Sequence, residues 1–175
     1  QPLEEQGSCD ICAAGTFQGS VGQFACSVCE VHSWCAAGSS TPAVCPAGKL
    51  GLEPGLERAE QCSSCPAGFW CTAGRQIPCV RNTFNELSGA DDQSYCLPCP
   101  ENAVTLDEAS DSFDACVCSK GFFADTRILP VLEGLRAANL TNSEAFRLNA
   151  SSFCHNCVSG ARCRSDDVEA DSAIT

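Results

Sequence analysis

Cysteine spacing is the sequence feature that most constrains this chain. The 175 residues contain 17 cysteines, a density typical of small secreted disulfide scaffolds and foreign to cytosolic proteins. Leu, Ile, Val and Phe together make up only a fifth of the chain. Because so little apolar side chain is present, burial alone does not offset the entropy lost on folding, and we expect disulfides to hold the fold together.

The cysteines repeat with a period of 34 to 36 residues. The spacing C-x2-C-x5-C-x9-C-x16 begins at Cys26, C-x2-C-x5-C-x7-C-x16 begins at Cys62, and a further C-x2-C begins at Cys96. The sequence Cys-Pro-Ala-Gly also occurs twice, at Cys45 and at Cys65. Self-similarity at this period is typical of a tandem array.

This period sets the predicted fold class and domain organisation. We expect a small disulfide-rich fold of tandem cysteine-rich repeats, elongated, with short β-hairpins and loops, because turn-forming residues fill the stretches between cysteines. The last repeat contains a long insertion at about 126–153 and is followed by an acidic linker at 164–175. The predicted repeats are 9–45, 45–79, 79–118 and 118–163.

Read as consecutive loops, the cysteines suggest a sequential disulfide pairing. A closed loop of about 15 residues contributes about 3 kcal/mol in the chain-entropy model. Spacing does not prove connectivity, because many other pairings are open, so this order is a hypothesis. Cys9 is left over and is expected to pair outside this segment. The proposed pairs are Cys12–Cys26, Cys29–Cys35, Cys45–Cys62, Cys65–Cys71, Cys79–Cys96, Cys99–Cys116, Cys118–Cys154 and Cys157–Cys163.

The C-x2-C pairs also fit metal chemistry. Cys62, Cys65, Cys96 and Cys99 would supply the four thiolates of a tetrahedral zinc site. Disulfides are the stronger interpretation, because a zinc site leaves the regular long loops unexplained. A thioredoxin-like redox site is weaker still, since no strand-helix-strand pattern surrounds any C-x2-C pair. We therefore expect neither a metal nor a cofactor.

Two stretches of the sequence resemble a known family. The run CLPCP at 96–100 and the run CVCSKGFFA at 116–124 are similar to the cysteine-rich region of ephrin receptors. The upstream Cys-Pro-Ala-Gly units resemble the ephrin-receptor-like repeats of large extracellular proteins, which are similar to tumour-necrosis-factor-receptor and EGF-like modules. The resemblance covers roughly 9–125 and 154–163, and it implies a module class rather than a function.

The insertion between Cys118 and Cys154 departs from the pattern, because it is about twice as long as the other long loops. Leucines at 129, 132 and 135 with Pro130 predict a short helix, in which the leucines cover the module. The sequence Thr141-Asn142-Ser143-Glu144 predicts a capping box that opens another turn or two around Phe146. The functional alternative is a helix that docks a neighbouring chain.

Two N-x-S/T sequons fall in this insertion, at Asn139 and Asn149. In an exported chain each is a candidate N-glycan site.

Two tryptophans and two histidines invite other functional interpretations. Trp34 and Trp70 each precede the cysteine that closes a short loop, and this repetition favours packing over a ligand hot spot. The histidines, His32 and His155, are expected to be exposed loop residues rather than catalytic ones. The acidic pairs, such as Asp91-Asp92, do not match a calcium loop.

Charge and hydropathy exclude several partners. The net charge is −12, with ten basic residues scattered among 22 acidic ones, which argues against a nucleic-acid partner. The longest apolar runs fall far short of the roughly 20 residues that span a bilayer, so we expect no membrane insertion by this segment. If the chain is secreted, its signal and any anchor are expected to lie outside this stretch.

The sequence therefore predicts a non-catalytic extracellular segment, a spacer or assembly element of a larger secreted or cell-surface glycoprotein. Its expected partners are neighbouring repeats, other protein chains and N-glycans. The alternative is a part of a receptor ectodomain that binds a protein ligand, chiefly through the insertion between Cys118 and Cys154.

Overall fold

A computed structural model describes residues 10–138, 140–141 and 143–158. Several predicted features lie outside the described residues: Cys9, the sequon residue Asn139, Cys163 and the acidic linker 164–175.

Seven short hairpins follow one another in the described part of the chain, each a two-stranded sheet. Their strands are two to four residues long, as expected where turn-forming residues are frequent. We number them hairpins 1 to 7, and they begin at Cys12, Cys29, Cys45, Cys65, Cys79, Cys99 and Cys118. Their strands are β1 (Thr16–Phe17) and β2 (Ser27–Val28), β3 (Ser33–Trp34) and β4 (Ala43–Val44), β5 (Lys49–Leu50) and β6 (Ser63–Ser64), β7 (Phe69–Thr72) and β8 (Arg75–Pro78), β9 (Thr83–Phe84) and β10 (Leu97–Pro98), β11 (Ala103–Val104) and β12 (Val117–Cys118), and β13 (Phe122–Ala124) and β14 (Cys154–Asn156).

One local conformation opens every hairpin. The residue three positions after the opening cysteine has a positive φ, between 62° and 92°, and the first strand starts directly after it. We call it the turn residue. Glycine adopts this left-handed conformation without strain, and asparagine does so more readily than most other residues. The turn residues are Gly15, His32, Gly48, Gly68, Asn82, Asn102 and Gly121.

The hairpins also explain the period seen in the sequence. A unit of 34 to 36 residues contains two hairpins. Hairpins 3, 5 and 7 open at Cys45, Cys79 and Cys118, the cysteines at which the sequence predicts repeat boundaries, and the boundaries themselves stay a prediction.

Seven disulfides cross-link these hairpins. They join the same cysteines as the first seven pairs of the sequential hypothesis. Cys157 is disulfide-bonded as well, whereas its expected partner lies outside the described residues. The chain thus has the small disulfide-rich fold of short hairpins that the sequence predicts.

The chain forms two compact units. The first contains the described residues up to 66 with Trp70–Ile77 and Ser88–Asp92, and the second contains Ala67–Phe69, Pro78–Leu87 and the described residues from 93 onward. Most fully buried residues of the first unit are half-cystines, such as Cys29 and Cys65.

The second unit contains the insertion, which folds into two helices, α1 (Leu129–Ala137) and α2 (Glu144–Ala150). Pro130 lies in the first turn of α1, as predicted, and Leu132 is 1 % exposed. The predicted capping box is wrong by two residues: Ser143, not Thr141, caps α2, and its Oγ accepts a hydrogen bond from the N–H of Phe146. The Thr141 hydroxyl donates instead to Glu86.

Candidate functional site

Successive hairpins of the first unit are joined by a recurring set of three backbone hydrogen bonds, of which the step from hairpin 3 to hairpin 4 has the first two. In the first bond, the turn residue donates to the carbonyl three positions after the next turn residue. Three bonds follow this rule: Gly15 to Cys35 at 2.8 Å, His32 to Gly51 at 2.9 Å and Gly48 to Cys71 at 2.9 Å.

The other two bonds involve the loop of the following hairpin. The N–H three positions after a turn residue donates to a loop carbonyl, as Gln18 does to Ser39 at 3.1 Å and Cys35 does to Leu56 at 2.8 Å. In return, a loop N–H donates to the carbonyl of the opening cysteine. Here the three bonds are Gly38 to Cys12, Gly55 to Cys29 and Gly89 to Cys65, each at 2.7 Å. We call the three bonds together the backbone ladder.

The second unit repeats the ladder with one change. Gly68 donates to Asn85 at 2.8 Å between hairpins 4 and 5, and between hairpins 5 and 6 Asn85 donates to Ser110 at 3.0 Å and Ala109 donates to Cys79 at 2.8 Å. In that second step the N–H of the turn residue Asn82 donates to the Thr105 hydroxyl at 2.8 Å instead of to a backbone carbonyl. Because the ladder donors and acceptors belong to the main chain, the contact between successive hairpins depends on backbone conformation more than on side-chain identity.

Close approach of the backbones makes glycine necessary at the two turn positions that belong to Cys-Pro-Ala-Gly, as it does at Gly15. A Cβ added to Gly48 would collide with the carbonyl of Gly89, and one added to Gly68 would collide with that of Ala109. Both glycines also have positive φ, 74° and 80°. The glycine of Cys-Pro-Ala-Gly is therefore required by the close approach of a hairpin to the next but one along the chain.

The insertion is held by a small aromatic core. Phe113 forms edge-to-face contacts with Phe84, Phe146 and Phe153, with ring centroids 5.7, 5.4 and 5.2 Å apart. Leu132 is buried in the same cluster, and Leu129 and Leu135 pack against it. The predicted leucine face therefore covers the module, as expected from three-residue spacing on a helix.

A charged network also ties the insertion to hairpin 5. The Glu86 carboxylate lies 2.8 Å from Nε of Arg136 on α1, and both side chains are mostly buried. The same carboxylate accepts hydrogen bonds from the N–H of Phe113 at 2.9 Å and from the Thr141 hydroxyl at 3.1 Å. Because it has several donors, this carboxylate is well satisfied despite its burial.

At the base of the insertion, Asp125 has a strongly shifted acidity. Hydrogen bonds from the Arg127 side chain and backbone lower the pKa of Asp125 from its ordinary 3.8 to about 2. Nε2 of His155 lies 3.6 Å from the Asp125 carboxylate. Asp125 therefore stays ionised through most of the acid range.

The two histidines differ from the prediction of exposed loop residues. His32 is half-buried and serves as the turn residue of hairpin 2, with Nδ1 2.9 Å from the carbonyl of Gly74. Packing by its neighbours holds this non-glycine residue in the left-handed region. His155 is exposed but lies on β14, not in a loop.

The alternative zinc site is contradicted by the disulfides. Each of Cys62, Cys65, Cys96 and Cys99 is bonded to a different cysteine outside this set. The described residues also contain no group of three or more metal-ligating side chains in suitable positions.

The sequons lie in ordered surroundings. Asn149 is half-buried on α2, where its Nδ2 donates to the carbonyl of Ala145 at 2.7 Å. Thr141, the hydroxyl residue of the other sequon, is 8 % exposed.

An apolar groove of about 390 Å³ lies beside α2 in the second unit. Phe84, Phe146 and Pro100 contribute to its walls, and the charged residues Arg147 and Glu101 also line it. No helix in the described part of the chain is both long and apolar enough to cross a bilayer.

The shorter repeat, a single hairpin, was missed by the sequence interpretation. Its signal is present as Cys-x-x-(Gly, Asn or His) at all seven openings. Glycine, asparagine and histidine are chemically dissimilar, but at these positions all three adopt the left-handed conformation.

Comparison with known proteins gives one informative similarity. No family model matches the chain. Cysteine repeat modular protein B of Toxoplasma gondii is 31 % identical over 127 residues, which cover 69 % of this chain and 2 % of that protein. The chain thus spans a very small part of the length of its relative. The disulfides and this similarity indicate a cysteine-rich repeat segment of a protein of the secretory pathway or cell exterior.

Proposed function

We propose that this chain is a non-catalytic structural segment that spaces or assembles parts of a larger secreted or cell-surface glycoprotein. The observation that carries the proposal is the backbone ladder, whose bonds recur between successive hairpins up to hairpin 6. Quasi-repetitive contacts between neighbours are the construction rule of solenoid and array proteins. The disulfide within each hairpin then maintains the geometry where apolar burial is scarce.

A tandem of two full chains tests the spacer role by small-angle X-ray scattering. A spacer is expected to nearly double its maximum dimension when its sequence is doubled. The control is the same tandem under reducing conditions, where the loss of disulfides should give the profile of an unfolded chain. A tandem that folds back to the dimension of one chain would contradict the role.

We also propose that Asn139 and Asn149 carry N-glycans. Thr141 donates to Glu86 once the chain is folded, and Asn149 uses its Nδ2 in a helix, so modification must precede folding of the insertion. Secretion from eukaryotic cells, followed by amidase treatment and intact-mass measurement, tests each site. Asn139→Gln should remove one glycan and keep the hydrogen bond from Thr141 to Glu86, whereas Thr141→Ala should remove both the glycan and that bond. An unchanged mass after amidase treatment would contradict both sites.

The apolar groove beside α2 supports the alternative function, binding of a protein ligand through the insertion. A Glu101→Trp variant places a large side chain on an exposed residue of that groove and leaves both sequons intact. If the insertion binds a protein ligand, this variant should no longer associate with the surface of cells that bind the unaltered chain. A spacer without a ligand predicts no specific association for either protein.

A further inference from the structure

The backbone ladder is unfinished at hairpin 1. Hairpins 2 and 3 each offer the preceding hairpin two carbonyls and one loop N–H, which hairpin 2 supplies from Cys35, Ser39 and Gly38. The equivalent groups of hairpin 1 are the carbonyls of Gln18 and Gln23 and the N–H of Gly22. None of these three groups bonds to another described residue.

The loop of hairpin 1 nevertheless has the conformation that the ladder needs. Gly22 has a φ of 75°, and Gly38, which occupies the same position in hairpin 2, has a φ of 74°. Each glycine is the second residue of a two-residue turn. Gly22 and Gln23 are exposed, so their backbone groups are available to a partner that approaches this edge.

The cysteine pattern continues across the same edge. Cys26 and Cys62 each close the long loop of one hairpin and stand three residues before the opening cysteine of another. Cys9 stands three residues before Cys12 in the same way. A hairpin that Cys9 closes would open 14 to 17 residues earlier, the separations found in the long loops of hairpins 1, 3, 5 and 6.

We propose that the edge formed by Gln18, Gly22 and Gln23 is a docking surface for a preceding hairpin of the same repeat type, whose opening cysteine forms a disulfide with Cys9. This partner offers two N–H donors, at its turn residue and three positions later, and one acceptor, the carbonyl of its opening cysteine. An unpaired backbone edge recognises a strand of matching donor and acceptor pattern. The inference rests on the proposed role as a segment of an array.

A graft from the chain itself tests this docking. Residues 45–61, which form hairpin 3 up to the residue before Cys62, replace residues 1–8, so that Cys9 takes the place of Cys62. Residues 79–95 provide a second graft, since Cys96 follows them as Cys62 follows the first. The control replaces residues 1–8 with a Gly/Ser segment of the same length that keeps only the opening cysteine.

Amide hydrogen exchange of Gly22, followed by NMR, is the readout. Each hairpin graft should slow the exchange of Gly22 by about tenfold or more, toward the rate of Gly38, and peptide mapping should find Cys9 bonded to the grafted cysteine. The Gly/Ser control should form the disulfide without slowing Gly22.

Three results would overturn the proposal. The first is a Cys9 disulfide with Gly22 still exchanging at its original rate in both hairpin grafts, and the second is equal protection in the Gly/Ser control. The third is a Cys9–Cys9 dimer of the unaltered chain that protects Gly22, because the surface would then bind a second copy. If the grafts dock but the tandem chain does not lengthen, the spacer role fails while the docking surface stands.

Discussion

The hairpins of the first unit and the helical insertion of hairpin 7 are stabilised by different means. The first unit has many buried half-cystines, a backbone ladder and few large buried apolar side chains. The insertion lies in a loop closed by Cys118 and Cys154, which are 36 positions apart, and is organised around Phe113. Covalent closure therefore replaces hydrophobic burial where loops are short, and an aromatic core forms only where the loop is long enough to fold into helices.

The largest expected effect comes from the aromatic core. Phe113→Ala should destabilise the second unit by about 3–5 kcal/mol, because it leaves a cavity among three aromatic rings. Phe123→Ala is the matched control, since that ring is 42 % exposed and its loss should cost little. Thermal unfolding with hydrogen exchange by region measures both variants. Equal losses would show that Phe113 does not organise the insertion.

Removal of one disulfide from each region directly tests the contrast. In the chain-entropy model both cross-links are worth about 3–4 kcal/mol. Because the first unit has little other stabilisation, Cys45→Ala with Cys62→Ala should abolish exchange protection in hairpin 3. Cys118→Ala with Cys154→Ala should leave the insertion folded but less stable. If hairpin 3 keeps its protection without the disulfide, covalent closure is not what holds it.

A smaller effect separates backbone contact from backbone strain at the turn glycines. Gly48→Ala should cost about 3 kcal/mol, since its Cβ meets the Gly89 carbonyl and its φ is positive. Gly89→Ala has equal strain, with φ 81° and open space around the new Cβ, and should cost only about 1 kcal/mol. Chemical denaturation measures the free energy of unfolding of both variants. Equal losses would show that the contact with the Gly89 carbonyl does not contribute.

The smallest effect is a pH dependence in the insertion. The pKa of Asp125 is lowered in the folded chain to about 2, so its stabilising contribution is present above the ordinary value near 4 and is lost as the pH falls toward 2. The Tm difference between the unaltered chain and Asp125→Asn should shrink over that interval. Asp107→Asn, at an exposed residue, should show no such trend. A Tm difference that stays constant over this pH interval would contradict the lowered pKa of Asp125.

Much of the first unit was predictable because covalent constraints are local in sequence. Consecutive cysteines define the loops, and Cys-Pro-Ala-Gly marks two of the turns. The sequence did not show that Gly48, His32 and Asn82 occupy equivalent turn positions, because these residues share a positive φ and not a side-chain type.

The insertion was only partly predictable. Leu129, Leu132 and Leu135 predicted α1, because the helical period can be recognised within a few turns of sequence. Phe84 and Phe113 are 29 residues apart in sequence, and nothing local marks them as partners of Phe146. Thr141 was mistaken for a cap because a serine two residues later satisfies the same rule and is closer to the helix.

The backbone ladder has a consequence for how such chains diverge. Its donors and acceptors are main-chain atoms, so stacking restricts mainly the half-cystines and the left-handed turn positions. The remaining surface residues can be substituted one by one, and a hairpin can be duplicated or lost, while the backbone hydrogen bonds between neighbouring hairpins are retained. Sequence identity in this kind of chain is therefore expected to decay faster than architecture.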